Sequence, residues 1–410
     1  MRILFTIVIF TFSLQLGFAQ GRKSPVQTFR AKLFRKDGNV IPFRFQLDKR
    51  SGKPVIYLMN AGERMQVDSV RFFSDSVVVK MPLFESYIEA RISNGVWRGI
   101  WTKGTSETDQ VMRFEATIAP GIYKREHDAP TYDISGRWAA NFKSDSSKTP
   151  TTVAEFRQMG NLLTGSFLTP TGDYRYLQGA VSGNKLTLST FDGSHAFLFT
   201  ADITSANTLA NGFFYSGATF VDEWSARKNA KATVQLNRSA MYMKPGETQL
   251  NFRFPDLDSN MVSINEPCFK NKVVVVQIMG SWCPNCMDET AFLTEYYKAN
   301  KQRGVEIIAL AYEYSTDFDR SKRALTAFKN RLQVEYPILI TGITTSDTLR
   351  TEKTLPQVTP IKVFPSTIFI DKKGNVRKLD NGFFGPGTGE HHEAYKKEFN
   401  AFMEELLGEK

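Results

Sequence analysis

The chain has 410 residues, of which 41% are hydrophobic and 23% charged, and this balance is ordinary for a globular protein. Its length allows two or three domains. The formal net charge is +10, but Lys and Arg are scattered among Asp and Glu without a long basic run. We therefore expect the charge to serve solubility, and we expect no nucleic-acid partner.

Residues 1–19 have the layout of a secretory signal peptide. Arg2 precedes an apolar run, and the small residues Gly17 and Ala19 form a cleavage site before Gln20. The segment is short for a membrane span. We predict cleavage, a periplasmic or otherwise extracytoplasmic location in a bacterium, and no stable membrane insertion. An uncleaved signal anchor is the alternative.

The pattern from residue 27 to residue 228 is β throughout, with alternating apolar and polar residues joined by short turns that contain glycine. Three of these turns are Asp37-Gly38, Asn94-Gly95 and Gly183-Asn184. Such turns between alternating segments are the strongest short-range signal for β-hairpins. About fifteen short strands predict an all-β antiparallel barrel or sandwich domain over 27–228. A polar linker should follow over 229–248.

The β region contains no cysteine, and its two histidines are His127 and His195. We expect its aromatic side chains to fill the core, although a ligand pocket or a docking surface for a client protein is the alternative. Nothing in this part of the sequence identifies a ligand.

Residues 249–410 switch to strands that alternate with helices. The run "KVVVVQIMG" is continuously apolar, as expected of a central strand covered on both faces. A helix should begin near Cys283, a hairpin should turn at Lys373-Gly374, and an amphipathic helix should close the chain. This order predicts an α/β domain with a mixed sheet.

Two cysteines three positions apart, Cys283 and Cys286, lie where the central strand gives way to the helix. Residues at i and i+3 share a helix face, which suits a disulfide. The helix N-terminus favours the thiolate form of the first cysteine, and Pro284 fits the first helical turn.

Two other interpretations of a Cys-x-x-Cys pair, a zinc site and haem attachment, need residues that the sequence does not provide near the pair. A zinc site needs a second pair of ligands, which the sequence does not supply near Cys283 and Cys286. Haem attachment needs a histidine directly after Cys286, where the sequence has Met287. We therefore predict a redox pair with no metal and no cofactor. The third cysteine, Cys268, is expected to be a buried free thiol.

The stretch "GSWCPNCMDE" after a valine-rich strand resembles the active site of a thioredoxin fold. Within that fold it is similar to the extracytoplasmic TlpA/ResA-like thiol-disulfide oxidoreductases, whose pattern is Trp-Cys-x-x-Cys-x-x-Glu. The resemblance covers about residues 248–408. It implies a thioredoxin-like fold for this domain. It also implies that Pro365, in "VFPSTIFIDKKGNV", follows a cis peptide bond beside the cysteines.

The resemblance also implies roles for individual residues. Cys283 attacks a disulfide as a thiolate, and Cys286 resolves the mixed disulfide, so that a Cys283–Cys286 disulfide forms. The substrate groove would be lined by Trp282, Pro284, Phe364 and Pro365.

Glu289 matches the family's glutamate, which is thought to tune thiol acidity or move protons. The alternative is a solvated helix residue, since Asp288 beside it is also acidic. Two departures from related patterns are Ala291, where the family often has proline, and Gln277, where thioredoxin proper has a buried aspartate. The second departure favours Glu289 as the group that handles protons.

The sequence as a whole predicts an exported protein-disulfide oxidoreductase. The resemblance implies a reductase with oxidised client proteins, supplied by a thiol electron donor in the membrane or periplasm. A thioredoxin-fold peroxidase is one alternative, and peroxide consumption would reveal it. A binding protein whose β domain does the main work is another, and a Cys283→Ser variant with an unchanged phenotype would favour it.

Overall fold

A computed structural model describes residues 26–50, 52–105, 107–118, 128–145, 150–234 and 241–409. The predicted signal peptide, His127 and the middle of the predicted linker lie outside the described residues.

The first part of the β region forms a nine-stranded antiparallel sheet. Its strands are β1 (Gln27–Phe34), β2 (Val40–Asp48), β3 (Val55–Asn60), β4 (Glu63–Val67), β5 (Ser69–Phe72), β6 (Ser76–Lys80), β7 (Ser86–Ser93), β8 (Val96–Lys103) and β9 (Gln110–Ile118). They lie in the order β4-β3-β2-β1-β9-β8-β7-β6-β5. Alternate residues of β2 are buried, as a period of two requires of a sheet with one covered face.

The second part forms another nine-stranded antiparallel sheet. Its strands are β10 (Gly136–Phe142), β11 (Thr152–Met159), β12 (Leu162–Thr169), β13 (Gly172–Asp173), β14 (Leu177–Ser182), β15 (Lys185–Phe191), β16 (Ala196–Ser205), β17 (Thr208–Ser216) and β18 (Phe220–Lys228). Their order is β11-β10-β18-β17-β16-β15-β14-β12-β13, and β11 also pairs with β12. That extra pairing closes the sheet into a barrel around an aromatic core that includes Trp138, Phe167 and Phe199.

The sequence predicted an all-β antiparallel barrel or sandwich over this range, and the structure has two nine-stranded antiparallel sheets there, the second of them closed. The predicted hairpin turns are confirmed. Asn94 and Gly95 both have positive φ, 50° and 76°, which a two-residue turn between β7 and β8 requires.

The C-terminal part contains a small two-stranded ladder and a five-stranded sheet. The ladder pairs β19 (Arg253–Pro255) with β20 (Met261–Ser263). The sheet comprises β21 (Val273–Met279), β22 (Val305–Ala311), β23 (Ile338–Ile340), β24 (Ser366–Ile370) and β25 (Val376–Asn381). The helices are α1 (Pro284–Asn300), α2 (Phe318–Leu332), α3 (Arg350–Thr354) and α4 (Glu390–Gly408).

The five strands lie in the order β23-β22-β21-β24-β25, and every residue of β21 is buried. The three strands β21, β22 and β23 run parallel, and β24 and β25 run antiparallel to their neighbours. The predicted central strand and mixed sheet are therefore confirmed. None of the helices in the described ranges is long and apolar enough to cross a membrane.

The largest cluster of buried apolar side chains is shared between the sheets. It contains Phe29 of the first sheet, Phe191 of the second, and Cys286 and Leu293 of α1. The alternate residues of β21 contribute to a separate cluster on the opposite face of the five-stranded sheet. Helix α1 is thus packed onto the same apolar core as the β sheets.

Candidate redox site

The two thiols lie at the start of α1, where the sequence predicted them. Cys283 is the N-cap residue, and its sulfur accepts a hydrogen bond from the backbone N–H of Cys286 at 3.2 Å. Pro284 occupies the first helical position, where its missing N–H leaves no bond unmade. Both thiols are free in this structure and are 6% and 0% exposed.

The environments of the two sulfurs differ. Burial raises the pKa of the Cys286 thiol, and its contact with Cys283 and the nearby charge of Glu289 raise it further. Cys283 instead lines a cavity, and its sulfur accepts a hydrogen bond from the backbone N–H of Cys286. This asymmetry suits a pair in which the outer sulfur reacts first and the inner sulfur follows.

The predicted groove residues come together beside Cys283. The Phe364–Pro365 peptide bond is cis, as the sequence predicted. The sulfur of Cys283 lies 3.8 Å from the carbonyl oxygen of Phe364. Trp282 packs edge-on against Phe364, with ring centroids 5.5 Å apart, and its indole N–H donates to the carbonyl of Tyr312 at 2.8 Å.

Glu289 is buried inside the domain, so it is not a solvated helix residue. One of its carboxylate oxygens accepts from the amide of Gln277 at 2.8 Å. The other accepts from the hydroxyl of Thr367 at 2.7 Å and from that of Tyr395 at 3.3 Å. Burial raises the pKa of Glu289 to about 7, although these hydrogen bonds oppose the shift. The carboxyl group can therefore change protonation state near neutral pH.

The second β sheet covers the active-site turn, which sequence reasoning missed. The amide of Asn285 donates to the carbonyl of Asp173 at 3.1 Å, and the hydroxyl of Ser194 donates to the carbonyl of Trp282 at 3.0 Å. A Cβ atom at Gly172, whose φ is +140°, would lie 2.9 Å from the side-chain nitrogen of Asn285. Glycine is favoured there because its φ is positive and because a Cβ atom would crowd the Asn285 side-chain amide.

A buried ion cluster joins the first sheet, the second sheet and helix α1 next to the thiols. Arg175 pairs with Glu63 of β4, with Asp192, and with Asp288 of α1, and it donates to the carbonyl of Pro284 at 3.3 Å. The Arg175 side chain is 2% exposed. Burial raises the pKa of Asp288 to about 7 against the opposing effect of Arg175. No short-range sequence signal connects these distant positions.

Cys268 corrects one prediction. It is free, as expected, but it is exposed and not buried. It lies in a single 3-10 turn, Pro267–Phe269, in which the neighbouring Phe269 takes the buried position. Partial desolvation of the thiol and the charge of Glu266 raise its pKa.

A second group of titratable side chains lies where the second sheet meets α4. Ligand atoms of Glu155, Glu390 and His391 lie within 4.8 Å of one another. Arg137 donates to both carboxylates, at 2.7 and 2.8 Å, and His391 lies 2.9 Å from Glu155. The cluster already contains its own cation, so it forms an ion-pair network across the contact.

A cysteine pair at the N-terminus of the helix that follows a central strand, next to a cis-proline, defines the thioredoxin-fold class of dithiol proteins. Comparison with known families agrees with this class: residues 244–397 match the Redoxin family model.

Individual proteins are also similar to part of this chain. The thiol-disulfide oxidoreductase ResA of Bacillus thuringiensis subsp. konkukian is 29% identical over 155 residues, which are 38% of this chain and 78% of that protein. ResA of Bacillus subtilis is 28% identical over 137 residues, 33% of this chain and 67% of its own. A crystal structure of a putative thiol:disulfide interchange protein DsbE from Chlorobium tepidum aligns with 41% of this chain and 100% of its own, at 18% identity and a TM-score of 0.31.

The resemblance to TlpA/ResA-like oxidoreductases is confirmed for the C-terminal region, and the protein is a protein-disulfide oxidoreductase by class. The Redoxin model covers residues 244–397, so the two β sheets lie outside the range that it matches.

Proposed function

We propose that the protein is an exported disulfide reductase that acts by dithiol-disulfide exchange through Cys283 and Cys286. The observation that carries this proposal is the capping arrangement, in which the Cys283 sulfur accepts the N–H of Cys286 while Cys286 is fully buried. A sulfur that accepts a helix N–H is stabilised as a thiolate, the form that attacks disulfides.

The exchange has two steps. The Cys283 thiolate bonds to one sulfur of the client disulfide, and the other client sulfur leaves as a thiolate with the electron pair of the broken bond. Deprotonated Cys286 then attacks the Cys283 sulfur, which forms the Cys283–Cys286 disulfide and releases the second client thiolate. The client gains two electrons and two protons, and the enzyme dithiol loses them.

Glu289 and the groove residues support these steps. The charge of Glu289 acts on Cys286, so proton gain or loss by Glu289 changes how readily the resolving thiol ionises. Trp282, Pro284, Phe364 and cis-Pro365 would contact the client chain around the reacting sulfur. The clients would be oxidised exported proteins, and a membrane or periplasmic thiol donor would restore the dithiol.

The direction of electron flow is tested by the reduction potential of the Cys283–Cys286 couple. A value near about −250 mV is expected for a reductase, and a value near about −120 mV would make the protein an oxidant instead. The potential is measured by equilibrating the full chain with dithiol buffers. The measurement uses a Cys268→Ser background because Cys268 is an exposed thiol.

Client exchange is tested by trapping. In a Cys286→Ala variant the second step cannot occur, so mixed disulfides through Cys283 should accumulate in cells. Cys283→Ser should trap none, and Cys268→Ser should trap as few as the unchanged protein. Equal trapping by the Cys283→Ser and Cys286→Ala variants would contradict the assigned roles.

A further inference from the structure

The cavity in front of Cys283 is built from three parts of the chain. It has a volume of about 310 Å³. The redox domain contributes Trp282, Cys283, Tyr314 and Phe364, the first sheet contributes Lys103, and the second contributes residues of two turns. Among the described residues, the cavity beside the Cys283 sulfur is therefore lined in part by the β region and not by the C-terminal domain alone.

Lys103 brings a cation into this cavity. It is the last residue of β8, it is half-buried, and its ammonium group donates to the carbonyl of Ser194 at 2.9 Å. Among the described residues that line the cavity, Lys103 is the one lysine or arginine. Ser194 in turn donates to the carbonyl of Trp282, the residue before Cys283. The lysine is therefore held on the same short chain of contacts that fixes the active-site turn.

We propose that Lys103 is a positioning residue for the redox reaction, which stabilises the Cys283 thiolate from the first β sheet. The β region then completes the redox site and does not merely sit beside it. An ammonium group facing a thiolate across a partly desolvated cavity favours the charged form of the sulfur.

The other charged groups around the cavity do not replace Lys103. His195 and Asp192 pair with each other at 3.1 Å, and Asp192 also lies 3.9 Å from Arg175. Arg175 is engaged by Glu63 and Asp288. Burial raises the pKa of Tyr314, so this phenol stays neutral. Burial lowers the pKa of Lys103, while the charges of Asp192 and Cys283 oppose that shift.

The role of Lys103 in exchange rests on the proposed function, but its electrostatic effect does not. When the Cys283 thiolate attacks a disulfide, its negative charge passes to the leaving sulfur. Alkylation of Cys283 by iodoacetamide uses the same thiolate and needs no client, so it measures the interaction separately. A protein without reductase activity could still show the effect of Lys103 on Cys283. Failure of the proposed reductase function and failure of the Lys103 proposal can therefore be told apart.

The test is the pH profile of Cys283 alkylation in a Cys268→Ser, Cys286→Ala background. Lys103→Gln removes the charge and keeps a hydrogen-bond donor. The midpoint of its profile should move up by about 0.5–1 pH unit, which lowers the rate about three- to tenfold below the midpoint. Lys103→Arg should restore most of the rate. Lys32→Gln, at an exposed lysine of β1, should change nothing.

A folded Lys103→Gln variant with an unchanged profile would overturn the proposal. A second measurement covers the case in which that variant does not fold. Because electrostatic coupling is reciprocal, alkylating Cys283 should lower the titration midpoint of the Lys103 ammonium, observed by NMR in the otherwise unchanged background. An identical lysine midpoint before and after alkylation would equally refute the inference.

Discussion

Glu289 shows how far burial alone can change a single residue. Its sequence neighbour Asp288 is also acidic, yet the two carboxyl groups have different partners: Glu289 is held by neutral donors, and Asp288 faces the guanidinium of Arg175. Both have a pKa raised to about 7. Glu289, and not Asp288, is among the groups that contribute most to the raised pKa of the Cys286 thiol.

Replacing Glu289 with glutamine should therefore make Cys286 easier to ionise. The charge of Glu289 raises the pKa of Cys286, so its removal should shift the Cys286 titration down by about 0.5–1 pH unit. The shift is measured by the ultraviolet absorbance of the thiolate in a Cys283→Ser, Cys268→Ser background.

The matched control for this change is Glu295→Gln. Glu295 lies on the same helix, but its side chain is 80% exposed, so screening should leave the thiol titration where it was. An equal shift in both variants, or none in Glu289→Gln, would remove Glu289 from the proton chemistry of the pair.

At the scale of elements, the start of α1 is fixed from both sides. Its own sequence supplies the cap through Cys283 and Pro284, and the second sheet supplies Arg175, which donates to the carbonyl of Pro284. The guanidinium also compensates Glu63 and Asp288, which belong to two other elements. The redox turn is thus anchored by an ion cluster that none of these elements could form alone.

Arg175→Met should strongly destabilise the fold because it leaves buried carboxylates without their cation. Losing one partner of a buried pair costs about 3–5 kcal/mol, and we expect the free energy of unfolding to fall by about that amount in denaturant titrations. Arg98→Met is the control. Arg98 is 63% exposed in its pair with Glu115, and its loss should cost about 0–1 kcal/mol. Similar losses in the two variants would contradict the cluster's role.

Local patterns predicted the individual elements and the mixed C-terminal sheet, but they did not predict how the strands of the β region are divided between two sheets. The valine run over β21, the Asn94-Gly95 turn and the helix start at Pro284 are all written in neighbouring residues. The division of the β region into two sheets depends on which strands pair. Alternation of apolar and polar residues with a period of two is the same whether the strands form one sheet or two. The exposure of Cys268 depends on which side of a short turn faces the core.

The covering of Cys283 could not be predicted for the same reason. Lys103, Asp173 and Ser194 approach the thiols only through long-range packing. No motif spacing connects them to Cys283. The match to the Redoxin model begins at residue 244, after all three of these positions.

At the scale of the whole molecule, buried carboxyl groups make stability depend on pH. Burial raises the pKa values of Asp288, Glu289 and Glu313 to about 7, from ordinary values of 3.8, 4.5 and 4.5. Between those limits the folded state binds more protons than the unfolded state. Its stability therefore falls as the pH rises through this window. The pKa of Asp192 is lowered because the effects of His195 and Arg175 outweigh its burial. Asp192 therefore affects the pH dependence of stability only at pH values below this window.

The free energy of unfolding should consequently be larger near about pH 5 than near about pH 7.5. Glu289 accounts for roughly 2 kcal/mol of this difference. Denaturant titrations at the two pH values measure it, and Glu289→Gln should make the difference smaller. Stability that rises over this interval, or an unaltered difference in the variant, would contradict the assignment.

The shared core that includes Phe29, Phe191, Cys286 and Leu293 also has an evolutionary consequence. Substitutions in the β sheets and in α1 are coupled, because a strand of the β sheets that shifts also moves residues that line the cavity beside Cys283. A lineage could retune the redox chemistry by changing residues of the β sheets while leaving Cys-Pro-Asn-Cys untouched.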